Sequence, residues 1–212
     1  IVDEQASHTE ASHQLVGPFP IERQAALGRH LAQRMGFDFN RGRLDVSTHP
    51  FCGGAAEEVR MTTRYDEADF LTSVLGVVHE TGHALYEMGL PRQWARQPVG
   101  GVPGMGLHES QSLLMEMQAA RTPEFLGYLA EVAARYLGLS PDVLTREALE
   151  RHALSVGRSL IRVDADEATY PLHIIVRFNL ERAMIKGDLK VADLPLAFRD
   201  AKTFSAVGDM RA

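Results

Sequence analysis

The sequence has only one cysteine, Cys52, among its 212 residues. A single cysteine excludes an intramolecular disulfide and a cysteine-rich zinc knuckle, and it suits a reducing compartment, so we expect a cytoplasmic protein. No stretch approaches the roughly 18 to 20 apolar residues of a membrane helix, and the polar residues 1–10 are unlike a signal peptide. We therefore expect no membrane partner.

Runs of Lys and Arg are also missing, and the formal net charge is −6. A surface that follows a phosphate backbone needs clustered positive charge, so we expect no nucleic-acid partner. The chain is 45% hydrophobic and 24% charged, which is the usual balance of a globular protein. We expect residues 1–212 to form a single domain.

The spacing of apolar residues predicts a mainly α fold with at most one small β-sheet. Residues 37–54 contain several glycines and a proline and predict a loop, and residues 59–65, which are rich in β-branched side chains, predict a short strand. Asp66 is the expected N-cap of the second helix, and Ser140 that of the fifth. The predicted helices span residues 20–35, 66–89, 109–121, 123–137, 140–161 and 166–186.

The stretch GVVHETGHALYEMGL, residues 76–90, places two histidines four positions apart in the second helix. Residues i and i+4 share one helix face, so His79 and His83 can both direct an imidazole nitrogen at one ion. Glu80, one position after the first histidine, can take a proton from a water on that ion. The alternative is that the two histidines only cover a helix surface. The apolar flank and the small Gly82 and Ala84 favour metal-assisted hydrolysis.

A catalytic zinc normally has three protein ligands, so a third ligand is needed. The residues alone leave three carboxylates open. Glu87 lies one turn further along the same helix and is better suited to orienting a histidine than to binding the ion. Glu109 follows a glycine-rich loop that can bring a new helix against the first, although a carboxylate there also suits the helix dipole. Glu116 lies two turns after Glu109.

Three further residues are candidates for contacts with a substrate. Arg60 and Arg162 lie in mixed apolar and acidic surroundings, where an arginine commonly pairs with a neighbouring carboxylate. Their alternative role is to bind a substrate carboxylate with both arms of the guanidinium. His49, before Pro50 in a predicted loop, is a candidate substrate contact.

Five ordered blocks of this sequence resemble the thermostable carboxypeptidase (carboxypeptidase Taq) family of metallocarboxypeptidases. The longer matches GRLDVSTHPF and TTRYDEADF strengthen the resemblance, which runs from about residue 19 to residue 196. The five blocks are HPF at 49–51, EVRMT at 58–62, HETGH at 79–83, HESQ at 108–111 and IRVDAD at 161–166.

The resemblance implies a role for each candidate residue. It implies that His79, His83 and Glu109 bind one divalent metal, zinc first with Co²⁺ or Mn²⁺ as alternatives, and that Glu80 is the general base. It also implies that the substrate site includes His49, Arg60 and Arg162. The expected fold is a zincin-like helical metallopeptidase core, and the expected substrate is a peptide with a free C-terminal carboxylate. Full-length members are typically homodimers.

Members of that family are more than twice this length. The resemblance implies that a helical region precedes residue 1 and that a block with the pattern Gln-Asp-x-His-Trp follows residue 200, so we expect this chain to be partial. That block is a natural source of an oxyanion donor, and losing one such donor costs on the order of a hundredfold in rate. Two alternatives therefore stay open: a catalytically inactive metal-binding or partner-binding remnant, and a metalloendopeptidase.

Overall fold

A computed structural model describes residues 15–55, 57–156, 162 and 165–207, and it describes only the backbone of residue 55 and residues 202–207. The chain divides into two compact units. The larger comprises residues 13–153, and the smaller comprises residues 1–12 and 154–212. The expectation of a single domain stays a prediction.

The larger unit contains five α-helices and three strands within its described residues. Its first helix ends where Gly36 adopts φ 110° and donates its N–H to the Gln33 carbonyl, which is a common glycine C-cap. In chain order the elements are α1 Ile21–Met35, β1 Gly42–Val46, β2 Phe51–Ala55, β3 Glu58–Thr63, α2 Phe70–Gly89, α3 Met105–Leu113, α4 Pro123–Leu137 and α5 Arg146–Ala153.

The three strands form one small sheet in the order β1-β3-β2. β3 is central and pairs in parallel with β1 and antiparallel with β2, so that Arg60 lies opposite both Arg43 and Gly53. Side chains alternate along β3: Val59 and Met61 are buried, while Arg60 is exposed. The predicted small sheet is confirmed.

The helix α2 lies in the middle of this unit. It contacts α1, α3 and the sheet, and its buried residues lie on several faces. Phe70, Leu71 and Val74 pack with α1 and α4 in one apolar cluster, while Val77 and Ala84 pack with buried residues of β3 in another. A helix packed on this many sides is held rigidly, which suits it to carry a site.

The larger unit corrects three details of the predicted secondary structure. Residues 37–54 are not one loop, because they contain β1 and most of β2; such short glycine-containing strands carry little sequence periodicity. The N-cap of α2 is Asp69 rather than Asp66: its Oδ1 accepts the Leu71 and Thr72 N–H groups at 3.0 and 3.2 Å. Asp66 instead closes the preceding turn through the Ala68 N–H.

The third and fifth helices also differ from prediction at their ends. The third begins at Met105, four residues before the predicted start, and continues from Leu114 to Ala119 as a π-helix. The fifth begins at Arg146 instead of Ser140, because the Thr145 hydroxyl caps it by accepting the Ala148 N–H at 3.2 Å. It ends at Ala153, and residues 157–161 of the predicted helix lie outside the described residues.

The smaller unit contains two described helices, α6 Tyr170–Lys186 and α7 Leu194–Val207, which contact each other. The helix predicted from residue 166 therefore begins at Tyr170, four residues later, since Asp166 forms a turn by accepting the Ala168 and Thr169 N–H groups. Pro171 lies in the first turn of α6, where a missing N–H is tolerated. Helix α7 was not predicted.

With seven helices and one small sheet in the described residues, the chain is mainly α, as predicted. No described helix has the combination of length and apolar character that crossing a bilayer requires.

Candidate metal centre

Two neighbouring helices supply the three candidate metal ligands. His79 and His83 lie one turn apart in α2, and Glu109 lies in α3. A carboxylate oxygen of Glu109 is 3.2 Å from Nε2 of His83 and 3.8 Å from Nε2 of His79. One ligand atom from each of the three lies within 4.8 Å of the other two. We refer to His79, His83 and Glu109 as the ligand group.

The close approach of α2 and α3 depends on a residue without a side chain. A Cβ placed on Gly82 would lie 2.7 Å from the Ser112 Cα and 2.8 Å from the Gln111 carbonyl oxygen. Such distances are shorter than van der Waals contact, so only glycine allows the two helices to approach this closely. The same approach brings Glu109 against the histidine face of α2.

The ligand group has the chemistry and spacing of a divalent metal site. Zinc binds imidazole nitrogen and carboxylate oxygen at about 2.0 to 2.2 Å, so two ligands of a tetrahedral ion lie about 3.4 Å apart. The separations of 3.2 and 3.8 Å from Glu109 to the two histidines are close to this value. Two imidazoles and one carboxylate also leave a fourth position for water or substrate.

The ring nitrogens of the histidines that face away from Glu109 have partners of their own. Nδ1 of His79 lies 2.8 Å from a carboxylate oxygen of Glu116. Nδ1 of His83 lies 2.5 Å from Nδ1 of His108, whose Nε2 lies 2.8 Å from a carboxylate oxygen of Glu87. Metal-binding histidines usually have such partners on the second nitrogen.

The surroundings of His79 change its protonation. Burial of the ring acts to lower the pKa of His79, but the hydrogen bond that the ring donates to Glu116 and the negative charges of Glu116, Glu80 and Glu109 outweigh it, so that the pKa is raised. The raised pKa reflects an imidazole that is surrounded by carboxylates. Such a cluster of negative charge also attracts a cation.

Glu80 is the buried carboxylate beside the ligand group. Its side chain is 5% exposed, and among the described residues its Oε2 has no hydrogen-bond partner. Burial, with smaller contributions from the charges of Glu109 and Glu116, raises the pKa of Glu80 to about 7, although His79 and His108 act to lower it. A carboxyl group with a pKa near neutrality can both accept and return a proton.

The structure separates the three carboxylates that the sequence left open. Glu109 is the carboxylate that lies with both histidines within reach of one ion. Glu116 and Glu87 lie on the outer side of the imidazoles, Glu116 against His79 and Glu87 behind His108. Glu87 contacts His108 and not a histidine of the ligand group, so its expected orienting role stays a prediction.

The candidate substrate residues of the larger unit lie on or beside the exposed face of the sheet. Arg60 is bound by its own strand neighbour, since Nε and Nη2 lie 2.9 and 2.8 Å from one carboxylate oxygen of Glu58. His49 is exposed, and its backbone carbonyl accepts the Thr62 hydroxyl at 3.1 Å. Thr62 and Arg60 share one face of β3, so His49 and Arg60 lie beside the same surface.

Arg162 belongs to the smaller unit. Its Nη1 donates to the Tyr170 hydroxyl at 2.6 Å, and the guanidinium lies 5.5 Å from the centre of the same ring. Its Nε is buried without a hydrogen-bond partner in the described part of the chain. One donor of the guanidinium is thus held by Tyr170 while another is unused.

Sequence reasoning did not identify His108 as a neighbour of His83, and it did not identify the π-helix that carries Glu116. His108 directly precedes Glu109, so the HESQ block offered a signal in that it places a histidine beside a candidate ligand. A π-helical turn has no comparable sequence signature, although such turns occur frequently at functional sites. Arg121 was also missed; it lies 3.9 Å from Glu116 and donates to the Ala153 carbonyl.

Comparison with known proteins gives consistent results. The profile of the carboxypeptidase Taq (M32) metallopeptidase family matches residues 1–204. Carboxypeptidase 1 of Bacillus subtilis is 39% identical over 183 residues, which is 84% of this chain and 36% of that protein. Thermostable carboxypeptidase 1 of Thermus thermophilus is 40% identical over 184 residues, 86% of this chain and 36% of that protein.

Solved structures are similar over almost the whole chain. Metallocarboxypeptidase 1 of Trypanosoma cruzi superposes with a TM-score of 0.89 at 42% identity, covering 97% of this chain and 41% of that one. The M32 carboxypeptidase of Deinococcus radiodurans superposes with a TM-score of 0.87 at 38% identity, covering 100% of this chain and 42% of that one. The chain thus spans well under half the length of the relatives that it matches.

Proposed function

Because this chain belongs to the carboxypeptidase Taq (M32) family of metallopeptidases, we propose that it hydrolyses the C-terminal peptide bond of peptides with the help of a divalent metal. The observation that carries the proposal is the convergence of one ring nitrogen of His79, one ring nitrogen of His83 and a carboxylate oxygen of Glu109 within 4.8 Å of one another. The buried Glu80 beside them supplies the remaining group that such a hydrolysis needs.

In this proposal the ligand group holds the ion, which when bound lowers the pKa of a water and polarises the peptide carbonyl. Glu80 takes the proton of the attacking water and passes it to the leaving amine. Its burial supports this role, since a pKa of about 7 suits a group that accepts and then donates a proton near neutral pH. General acid–base transfer of this kind contributes about a hundredfold to ten-thousandfold in rate.

We propose that His49, Arg60 and Arg162 contact the substrate and that an arginine, Arg162 before Arg60, binds its free C-terminal carboxylate. Nε of Arg162 is a buried donor without a described partner, and a carboxylate would satisfy it. Arg60 already binds one carboxylate with two donors, which is the contact that a substrate would make in place of Glu58. Replacing either arginine with Ala should raise KM, and an unchanged KM in both variants would remove this role.

The native ion is proposed to be Zn²⁺, because two imidazoles and one carboxylate form a common catalytic zinc set, although Co²⁺ and Mn²⁺ accept the same donors. Elemental analysis of protein purified without added metal distinguishes them.

We also propose a homodimeric protein of the cytoplasm, on the basis of the family resemblance. Light scattering and cell fractionation test these two points.

The deciding experiment combines metal content with hydrolysis. We expect the chain to bind one divalent ion, to lose it in Glu109→Ala and to keep it in Glu80→Gln, with turnover lost in both variants. Glu80→Gln is the informative control, because the amide preserves shape but cannot take a proton. Unchanged metal content in Glu109→Ala would contradict the proposed ligand set.

The choice of peptide separates the three candidate activities. A carboxypeptidase should cleave a peptide with a free C-terminus and spare the same peptide with an amidated C-terminus. Cleavage of the amidated peptide would indicate an endopeptidase. Metal binding without any turnover that depends on Glu80 would indicate an inactive metal-binding remnant.

A further inference from the structure

The outer nitrogens of the two candidate histidine ligands are held in different ways. His79 contacts the Glu116 carboxylate directly, with 2.8 Å between Nδ1 and Oε2. His83 contacts a second imidazole, that of His108, and the carboxylate of Glu87 lies behind that ring at 2.8 Å from its Nε2. One histidine thus has a direct carboxylate partner, and the other reaches a carboxylate through an intervening ring.

The His108 ring is inserted between two residues of one helix face. His83 and Glu87 are four positions apart on α2, and His108 reaches in from α3 to contact both. The side chains of His108 and His83 are 7% and 10% exposed, so water has little access to the contact between the two rings. We refer to Glu87, His108 and His83 as the relay.

The direction of every hydrogen bond in the relay follows from its carboxylate end. The Glu87 carboxylate only accepts, so Nε2 of His108 must be the donor. A neutral imidazole has one donor and one acceptor nitrogen, so Nδ1 of His108 accepts and Nδ1 of His83 donates. The remaining nitrogen of a neutral His83, Nε2, then has a free lone pair. That lone pair lies on the side of Glu109, 3.2 Å from its carboxylate oxygen.

The same reasoning applies in one step to the other histidine. The Glu116 carboxylate accepts from Nδ1 of His79, so that the lone pair of the neutral ring is on Nε2. Glu116 lies in the π-helical continuation of α3, the segment that also carries His108 and Glu109. One continuous segment thus contacts both sides of the two imidazoles.

We infer that Glu87, acting through His108, and Glu116, acting directly, are the positioning residues that hold His83 and His79 with protonated Nδ1 and with Nε2 turned toward Glu109. The inference rests on the proposed function in one respect, since it concerns the same ion site. It adds that the two histidines are held by independent groups, one of them a two-residue chain.

Metal affinity tests the independence of the two groups. Removing such a partner typically costs about 10- to 100-fold in metal affinity, so we expect losses of this size in Glu87→Ala, His108→Ala and Glu116→Ala. Glu87→Ala combined with His108→Ala should bind the ion about as well as His108→Ala alone, because Glu87 acts only through His108. In the double variant Glu87→Ala with Glu116→Ala, the fold loss of metal affinity should equal the product of the two single fold losses, because the two groups act independently.

Two further variants exclude a general loss of structure or charge. Glu87→Gln keeps an oxygen that can accept from His108, so it should retain affinity that Glu87→Ala loses. Glu131→Ala removes an exposed carboxylate from α4 and should leave affinity unchanged. An equal loss in Glu131→Ala, or multiplied effects of Glu87→Ala and His108→Ala, would overturn the relay.

The hydrogen positions can be read in the metal-free chain, independently of any ion or activity. Nitrogen-15 NMR of the imidazoles, at about two pH units above the ordinary histidine pKa, should show hydrogen on Nδ1 of His83 and on Nε2 of His108. The reverse arrangement would refute the relay even if the chain binds metal. A chain that shows the expected hydrogens but binds no divalent ion would refute the proposed function and leave the relay standing.

Discussion

Gly82 of α2 lies so close to Ser112 of α3 that a Cβ at position 82 would be 2.7 Å from the Ser112 Cα. This contact sets the distance between the helix that carries His79 and His83 and the helix that carries Glu109. The glycine of the His-Glu-Thr-Gly-His stretch therefore has a structural role that is separate from the chemistry of its neighbours.

Gly82→Ala should weaken metal binding without touching a candidate ligand. The added methyl group must push α3 away from α2, which moves Glu109 from the histidines and costs about 1 to 3 kcal/mol of unfolding free energy through overpacking. Metal titration and urea unfolding measure the two effects. Gly76→Ala is the matched control in the same helix, since its Cβ would meet nothing closer than the Thr63 hydroxyl at 3.5 Å. The control should gain up to about 1 kcal/mol from better helix propensity.

Replacing Glu58 should strengthen substrate binding if Arg60 is a substrate contact. Glu58→Gln removes the carboxylate that now binds the Arg60 guanidinium, so the guanidinium becomes available to a substrate carboxylate. An exposed ion pair is worth about 0.2 to 1 kcal/mol, so KM for a peptide with a free C-terminus should fall by up to about fivefold. Asp45→Asn breaks the analogous exposed pair with Arg43 on β1 and should leave KM unchanged. A KM that rises in Glu58→Gln would count against Arg60.

Cys52 should make the chain less stable at alkaline pH. Burial, and then the negative charges of Glu80 and Glu87, raises the pKa of the Cys52 thiol to about 12. In the unfolded chain the thiol loses its proton near its ordinary pKa of about 8.5, so between this pH and about 12 the unfolded state binds fewer protons than the folded state. The free energy of unfolding therefore falls as pH rises through this range and is unaffected by Cys52 below it.

Urea unfolding at pH values from about 7 to about 10.5 measures this effect. Wild type should lose stability more steeply above about pH 8.5 than Cys52→Ala, in which the other alkaline groups still titrate. Because Cys52 is the only cysteine in the chain, its reaction with a thiol reagent reports the same property. Parallel pH profiles for the two proteins would contradict the raised pKa.

Gln24 should be one of the most sensitive polar positions for stability. Its buried amide nitrogen donates to the Phe19 and Asp66 carbonyls, both at 2.7 Å, and its oxygen accepts the Ser73 hydroxyl at 2.8 Å. Gln24→Leu leaves buried polar groups without partners, at a cost of about 1 to 3 kcal/mol each. Chemical unfolding should show this loss.

The matched control is another glutamine of α1. Gln33 is exposed on the opposite side of the helix from the core, and Gln33→Leu should change the unfolding free energy by no more than about 0.5 kcal/mol. A similar loss in both variants would mean that the Gln24 hydrogen bonds contribute nothing measurable.

The sequence predicted the long elements better than the short ones. Helices α1, α2 and α4 were expected close to where they lie, because an apolar stripe with a capping residue or a terminal glycine is a local signal. The sequence predicts a loop where β1 and most of β2 lie, since each strand is five residues long and owes its extended form to pairing with β3. Pairing between distant residues leaves no mark in a short window of sequence.

For the candidate site, the sequence by itself determined that His79 and His83 share a helix face and that Glu80 is adjacent to them, because that follows from helical geometry. Residue spacing alone left Glu87, Glu109 and Glu116 open, since each is compatible with a helix near the histidines, and the resemblance of the HESQ block implied Glu109. Only the tertiary structure decided which carboxylate lies on the inner side of the imidazoles and which two lie behind them. The physical reason is that those positions depend on how closely two helices pack at Gly82, on the π-helical turn and on the ring of His108, all of which are properties of packed helices and not of sequence spacing.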